Sequence, residues 1–124
     1  MAQTTQRPSR FIPGEVRAVQ GDQTQTVPCV RLADLPGAAL HRMLDHAGWA
    51  LTHERSGLAI RALLPTERVG RRLMRRLAGH NFDREQAEII RDEQLTADVM
   101  GHASQLTGEQ LYAHNPDGTW TLTF

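Results

Sequence analysis

The sequence contains no lysine, so all fourteen of its basic residues are arginine. It has a single cysteine, Cys29, which excludes an intrachain disulfide and a cysteine-based zinc cluster and suits a reducing compartment. No stretch approaches the roughly 18 consecutive apolar residues that a membrane-spanning helix needs. The first ten residues hold no apolar segment of the kind found in secretory signals. These absences predict a soluble protein, which we expect in the cytoplasm.

The remaining composition is ordinary for a globular protein. Of the 124 residues, 40% are hydrophobic, 5% are aromatic and 23% are charged, and the formal net charge is zero. A chain of this length is close to the commonest domain size and can bury a hydrophobic core. We predict a disordered tail over residues 1–10 and a single domain over residues 11–124. Because the net charge is zero, any attraction to nucleic acid must come from a local patch.

Three segments alternate apolar and polar residues on both sides of a turn signal, which predicts three β-hairpins. Two prolines, Pro13 and Pro28, flank the first hairpin and favour a position at the sheet edge, because proline cannot donate a ladder hydrogen bond. In the last strand, the large residues at 120, 122 and 124 recur every second position and should face the core together. The turns are predicted at Gly21-Asp22, Ser56-Gly57 and Asn115-Pro116-Asp117-Gly118, and the large residues are Trp120, Leu122 and Phe124.

Helical periodicity predicts a first helix between Asp34 as N-cap and Gly48 as the terminating residue. Its apolar residues recur at i, i+3, i+4 and i+7, as expected for one helix face. They are Leu40, Met43, Leu44 and Ala47. A second helix is predicted from Thr66, as N-cap, to Gly79.

A third helix is predicted from Phe82 and Asp83 to Leu106, since Asp83-Arg84-Glu85-Gln86 matches a capping box. Its apolar residues do not keep to one face, so it is either buried on two sides or bent near residues 94–96. The predicted order is ββ-α-ββ-α-α-ββ. This order indicates an α+β fold with a mainly antiparallel sheet, built from three hairpins and covered by helices on one face.

The second predicted helix carries the clearest functional signal, a set of five arginines at i, i+3, i+4, i+7 and i+8. At 3.6 residues per turn they share one side of the helix, opposite an apolar stripe that includes Val69 and Leu73. We call this set the arginine face. Guanidinium groups arranged in this way can contact the phosphates of DNA or RNA. The candidate nucleic-acid-binding residues are Arg68, Arg71, Arg72, Arg75 and Arg76, with Arg55 and Arg61 from the preceding hairpin.

An alternative follows from the acidic composition of residues 81–110, which carry seven carboxylates against two arginines. A short connection separates this segment from the arginine helix, so the two should fold back as an antiparallel pair. The acids would then neutralise the arginine face. In that case the domain is a protein-interaction module or a homodimer. An acidic protein partner and an acidic membrane surface are further candidates for an exposed arginine face.

Other chemistries find little support in the sequence. His41 and Asp45 would share a helix face next to His46, but the other histidines are scattered and do not follow zinc-site spacing. Ser56-Gly57 is a turn rather than a nucleophile elbow, and Cys29 has no neighbouring base. We therefore predict a non-enzymatic binding or regulatory domain without a metal or cofactor.

Overall fold

Five strands form one antiparallel sheet in which each strand pairs with its neighbours in the chain. The computed structural model describes residues 10–45, 47–114 and 120–122. Three helices follow the sheet, and a short hairpin follows the helices. The elements are β1 Phe11–Gln20, β2 Gln23–Leu32, β3 Ala38–Arg42, β4 Trp49–His53, β5 Ala59–Leu64, α1 Glu67–Arg76, α2 Gln86–Arg91, α3 Glu93–Leu111, β6 Tyr112–His114 and β7 Trp120–Leu122.

The first predicted hairpin is confirmed, with a two-residue turn between Gln20 and Gln23. Gly21 has φ +61°, the left-handed conformation that this kind of turn requires. Each of the two strands is ten residues long. Pro13 is accommodated because β1 is the edge of the sheet, and Pro28 because β2 pairs with β3 only near Val30.

The helix predicted between Asp34 and Gly48 is wrong, because residues 38–42 form strand β3 at the centre of the sheet. Ala38 to His41 are all buried. A strand covered on both faces needs no apolar–polar alternation, so β3 lacks the pattern that indicates a strand. Its Leu40 also fits the predicted helical spacing with Met43, Leu44 and Ala47. Gly48 does adopt a positive φ, but in the loop between β3 and β4, where its carbonyl accepts a hydrogen bond from the Met43 amide.

The second predicted hairpin is confirmed in β4 and β5, which pair on either side of the turn at Ser56-Gly57. The register shifts within this pair, since Trp49 lies opposite Leu64 while Leu51 lies opposite Arg61. One more residue is therefore present in β5 than in β4 over this stretch, which is the arrangement of a β-bulge. Leu63 has φ +60° at this position and an exposed side chain.

Helix α1 begins where the sequence predicts, because the hydroxyl oxygen of Thr66 accepts a hydrogen bond from the Val69 amide at 3.1 Å. The helix buries Val69, Leu73 and Met74 and packs against β3, β4 and β5. It crosses β3 closely at Gly70, where a Cβ atom would be 2.5 Å from a methyl carbon of Leu40. The predictions of the start and of the buried face of this helix are both confirmed.

The long third helix is interrupted at Asp92, two residues before the predicted bend. One carboxylate oxygen of Asp92 accepts a hydrogen bond from the Leu95 amide at 3.0 Å and so caps the start of α3. The predicted capping box at Asp83 is wrong, since α2 begins only at Gln86. The carboxylate of Asp83 instead pairs with Arg55. The observed order is therefore ββ-β-ββ-α-α-α-ββ.

Backbone hydrogen bonds join the β2–β3 connection to the connection between α1 and α2. The Gly79 amide donates to the Asp34 carbonyl at 2.7 Å, and the Phe82 amide donates to the Pro36 carbonyl at 2.8 Å. Gly37 lies within this link at φ +86°, and the backbone of Phe82 and Asp83 occupies the space that its Cβ atom would need. These hydrogen bonds fix the helices to the sheet through two connecting segments that belong to neither a helix nor a strand.

The main core lies between the sheet and the helices. It joins sheet residues such as Leu40, Leu51 and Leu64 to α1, to Phe82 and to α3 residues such as Leu95. A smaller cluster of Val16, Cys29 and Ala39 lies apart from this core. Because Ala39 and Leu40 are adjacent in β3, their side chains point to opposite faces, which places the smaller cluster on the far face of the sheet.

The third predicted hairpin is confirmed as a pairing of β6 with β7, in which His114 lies opposite Trp120. Among the described residues these strands form their own two-stranded sheet rather than an extension of the main one. The structure does not describe the predicted turn of this hairpin or residues 1–9 of the predicted tail. It also gives no burial for Trp120, Leu122 and Phe124, which were predicted to lie in the core. Within the described residues, no helix combines the length and apolar character needed to cross a membrane.

Candidate functional site

Helix α1 presents the arginine face on the side opposite its buried apolar residues. Arg68, Arg72 and Arg75 are exposed, and Arg71 and Arg76 are half-buried. The helix has a strong separation of polar and apolar sides because Val69, Leu73, Met74 and Leu77 are all buried. The spacing in the sequence therefore identified which residues share the outer surface of this helix.

Two of these arginines lie over the same aromatic ring. The guanidinium carbon of Arg71 is 4.8 Å from the centroid of the Phe11 ring, and that of Arg75 is 4.6 Å from it. At these distances a guanidinium is attracted by the ring quadrupole. Arg71 also donates from Nε to the Glu67 carboxylate at 2.6 Å, one helical turn earlier. The ring and the carboxylate restrict the orientation of these side chains.

Four of the five arginines line one shallow concavity of about 350 Å³ on the outer side of α1. The fifth, Arg76, turns toward α3 and donates to the side-chain oxygen of Gln105 at 2.6 Å. Among the described lining residues, Glu67 is the acidic one. The concavity is formed by Glu67, Arg68, Arg71, Arg72 and Arg75.

The two arginines predicted to join this set from the hairpin do not line the concavity. Arg55 donates to Asp83 at 2.9 Å and to Glu85 at 3.1 Å, in ion pairs that connect the β4–β5 turn to the segment before α2. Arg61 is half-buried within β5. The structure therefore brings together four of the seven candidate residues, with Arg76 beside them on the same helix.

Several acids of residues 81–110 pair with bases that lie outside the arginine face. Asp83 and Glu85 pair with Arg55, and Asp98 lies 3.1 Å from Nε2 of His80. Asp92 pairs with Arg84 at 3.2 Å. The Leu95 amide and then Arg84 hold the pKa of Asp92 below its ordinary value.

The histidines lie in separate environments. His41, predicted on a helix with Asp45, is instead buried in β3, while Asp45 lies in the following loop and His46 is outside the described residues. His53 is held between the Ser56 hydroxyl and the Arg84 carbonyl, each at 2.8 Å. Over the described part of the chain, no group of three or more histidine, cysteine or acidic residues is placed to hold a metal ion.

A second concave surface, which the sequence interpretation missed, lies where β5, α2 and α3 meet. We call it the apolar groove; its volume is about 280 Å³. The signal in the sequence was that apolar residues such as Ile90 and Met100 did not fit a single buried helix face. Its lining is His53, Ser56, Leu58, Ala59, Ile60, Phe82, Gln86, Ile89, Ile90, Leu95, Thr96, Val99 and Met100.

Comparisons with protein-family models, with curated proteins and with solved structures find no match to this chain. The arrangement of residues is therefore the basis for the functional proposals.

Proposed function

We propose that this domain binds the phosphate backbone of nucleic acid through the arginine face of α1. The observation that carries the proposal is the concavity in which Arg68, Arg71, Arg72 and Arg75 surround a common space, with Glu67 as the carboxylate among its described lining residues. Guanidinium groups present several N–H donors in a planar array that matches phosphate oxygens. Four such groups around one space form an anion-binding surface.

The geometry of α1 suits a run of phosphates better than a single anion. A helix of ten residues is about 15 Å long at 1.5 Å per residue. One strand of a duplex carries a phosphate about every 3.4 Å along the axis, so the helix covers the span of roughly four phosphates. The contacts of Arg71 and Arg75 with Phe11 also reduce the side-chain entropy lost on binding.

Four carboxylates between residues 83 and 98 pair with bases outside the arginine face, which favours this proposal over neutralisation by those four acids. Asp83, Glu85, Asp92 and Asp98 each have a basic partner on another element or in a loop. Backbone phosphates carry no base identity, so we expect binding with little sequence preference. Affinity should depend strongly on salt because counterions are released from the nucleic acid.

The proposal is tested by fluorescence anisotropy with a labelled 20-base-pair DNA duplex and a labelled single-stranded RNA of 20 nucleotides. The variant Arg68→Ala/Arg72→Ala/Arg75→Ala should bind both more weakly than wild type. For the duplex, the slope of log affinity against log salt should flatten by about 0.9 for each phosphate that the variant no longer neutralises. A comparison of the two probes shows whether DNA or RNA is preferred.

The matched control is Arg10→Ala/Arg17→Ala/Arg91→Ala, which removes the same charge from exposed arginines outside the concavity. It should retain most of the affinity. Equal losses in both triple variants would mean that overall charge, and not the arginine face, attracts nucleic acid. Absence of binding at about 50 mM salt, with loss of subunit association in the first variant by light scattering, would favour the protein-interaction alternative.

A further inference from the structure

The apolar groove collects most of the large hydrophobic side chains that the described residues leave in solvent. Five such side chains are exposed, and three of them, Leu58, Ile90 and Met100, line this groove. Ile90 is 66% exposed and Met100 is 56% exposed. A concentration of exposed apolar surface in one concave site is typical of an interaction surface, whereas scattered single residues are not.

The polar atoms at one end of the groove are satisfied within the protein. The His53 ring nitrogens face the Ser56 hydroxyl and the Arg84 carbonyl at 2.8 Å each, and Ser56 Oγ also accepts from the Leu58 amide at 3.1 Å. These groups therefore do not require a polar ligand. The volume of about 280 Å³ is just under the range of roughly 300–1,000 Å³ that holds whole small-molecule ligands. It suits a few apolar side chains of a larger partner.

The surroundings of the groove are acidic. Residues 81–100 carry six carboxylates against two arginines, a net charge of −4. Glu85 and Glu93 are exposed. Glu85 lies four residues before Ile89, and Glu93 lies three residues before Thr96, so each shares a helix side with a lining residue. Arg91 is the exposed base on this segment, and Arg55 offsets Asp83 and Glu85. The remaining negative potential favours a positively charged partner.

A second copy of the chain is a poor fit to this groove. Two grooves placed face to face would bring their acidic rims together, which like-charge repulsion disfavours. The basic helix α1 of a second copy could match the charge, but its apolar residues are all buried and could not fill an apolar site. The partner therefore has to supply positive charge and apolar anchors together.

We propose that the apolar groove binds a basic, amphipathic segment of a partner protein. Its apolar side chains contact Leu58, Ile90 and Met100, and its arginines or lysines face Glu85 and Glu93. Burial of the apolar anchors supplies most of the affinity, and the acidic rim selects for positive charge. This surface is separate from the arginine face, so the proposal does not depend on nucleic-acid binding.

The probe is a fluorescein-labelled 14-residue peptide with leucines at i, i+3, i+4 and i+7 and lysines at the other positions. The control peptide keeps the leucines and replaces every lysine with glutamate. By anisotropy, the full chain should bind the basic peptide and not the acidic one, and higher salt should weaken the complex. Equal binding of the two peptides, or binding of neither, would overturn the proposal.

The groove is located with Ile90→Ser/Met100→Ser, which should weaken binding of the basic peptide by about tenfold or more. The matched control, Ile12→Ser/Leu63→Ser, changes two similarly exposed residues outside the groove and should leave binding unchanged. Circular dichroism confirms that both variants are folded. Glu85→Lys/Glu93→Lys should lose the basic peptide.

The site is contradicted if the two serine variants reduce peptide binding equally, or if the lysine variant binds the peptide as wild type does. It is also contradicted if wild type self-associates and Ile90→Ser/Met100→Ser abolishes that association. The last would assign the groove to a second copy. The variant Arg68→Ala/Arg72→Ala/Arg75→Ala should still bind the basic peptide. Its result separates failure at this groove from failure at the arginine face.

Discussion

The Nε2 atom of His41 lies 2.6 Å from the Thr52 hydroxyl oxygen, across the pair of strands β3 and β4. The other ring nitrogen, Nδ1, lies 2.6 Å from the Arg42 carbonyl, which can only accept a hydrogen bond. Nδ1 therefore carries the proton, and Nε2 accepts from Thr52. Both sites of a neutral imidazole are satisfied in this way, whereas a protonated ring would present Nε2 as a second donor.

This arrangement predicts that acid destabilises the fold through His41. Burial lowers the pKa of His41 from its ordinary value of 6.5, and the hydrogen bond to the Arg42 carbonyl opposes that shift. The unfolded chain therefore takes up a proton at a higher pH than the folded protein. The stabilising contribution of neutral His41 is complete above about pH 6.5 and is lost as the pH falls toward the folded-state pKa.

The measurement compares wild type with His41→Leu/Thr52→Val, which replaces both partners with apolar side chains. Urea unfolding between pH 7.5 and pH 5 should give a steeper loss of stability in wild type, by up to about 1.4 kcal/mol per pH unit. Parallel pH dependences of the free energy of unfolding in the two proteins would show that His41 is not the titrating group.

Gly37→Ala should destabilise the protein strongly. The position has φ +86°, and a Cβ atom there would overlap the backbone of Phe82 and Asp83. The left-handed conformation costs about 1–2 kcal/mol and the overlap about 1–3 kcal/mol, so we expect a loss of about 2–5 kcal/mol in urea unfolding. Gly101→Ala is the control, since nothing lies within 4 Å of its Cβ position and α3 should gain about 0.5–1 kcal/mol. A similar effect of both substitutions would contradict the close approach at Gly37.

Thr66→Ala should weaken the start of the helix that carries the arginine face. It removes the oxygen that accepts the Val69 amide at 3.1 Å, and loss of such a cap costs about 0.5–2 kcal/mol. Thr66→Ser keeps the oxygen and should remain close to wild type. Thermal unfolding followed by circular dichroism distinguishes the two variants. If alanine and serine gave the same melting temperature, the cap would not contribute to stability.

Glu67→Gln should strengthen the proposed binding of nucleic acid. The substitution removes the negative charge of Glu67 from the concavity and releases Arg71 from its ion pair. Both side chains are more than a third exposed, so stability should change by no more than about 1 kcal/mol. For the DNA duplex, the salt slope should steepen by up to about 0.9 because Arg71 can then neutralise a phosphate. As a control, Glu88→Gln removes a charge outside the concavity and should leave the salt slope unchanged. If Glu67→Gln also left the salt slope unchanged, Arg71 would not be binding a phosphate.

Local signals predicted several features that depend on residues close together in the chain, although the local capping-box signal at Asp83 was wrong. The turns at Gly21 and Gly57 and the cap at Thr66 depend on residues a few positions apart, and each was recognised from the sequence. Strand β3 was not recognised, because Ala38 to His41 are buried through contacts on both sheet faces. Those contacts come from distant segments, so a local pattern could not distinguish strand from helix.

The two candidate surfaces also differ in whether they depend on nearby residues or on distant contacts. The arginine face follows from helical spacing within one segment, so its members could be named in advance. The position of Phe11 beside Arg71 and Arg75 depends on the packing of β1 against a helix some 60 residues away. The apolar groove needs β5, α2 and α3 in their final places, and no single segment contains its pattern.

The link between the Asp34–Gly37 loop and the connection after α1 has a consequence for the order of folding. Its hydrogen bonds close a chain segment of about 45 residues, whereas the β1–β2 hairpin closes through two residues. Longer closures lose more entropy and slow the search for native contacts. We therefore expect the hairpins to form first and the link to form with the docking of α1. The concavity beside Phe11 and the groove beside β5 would then both be created in the late, slow step.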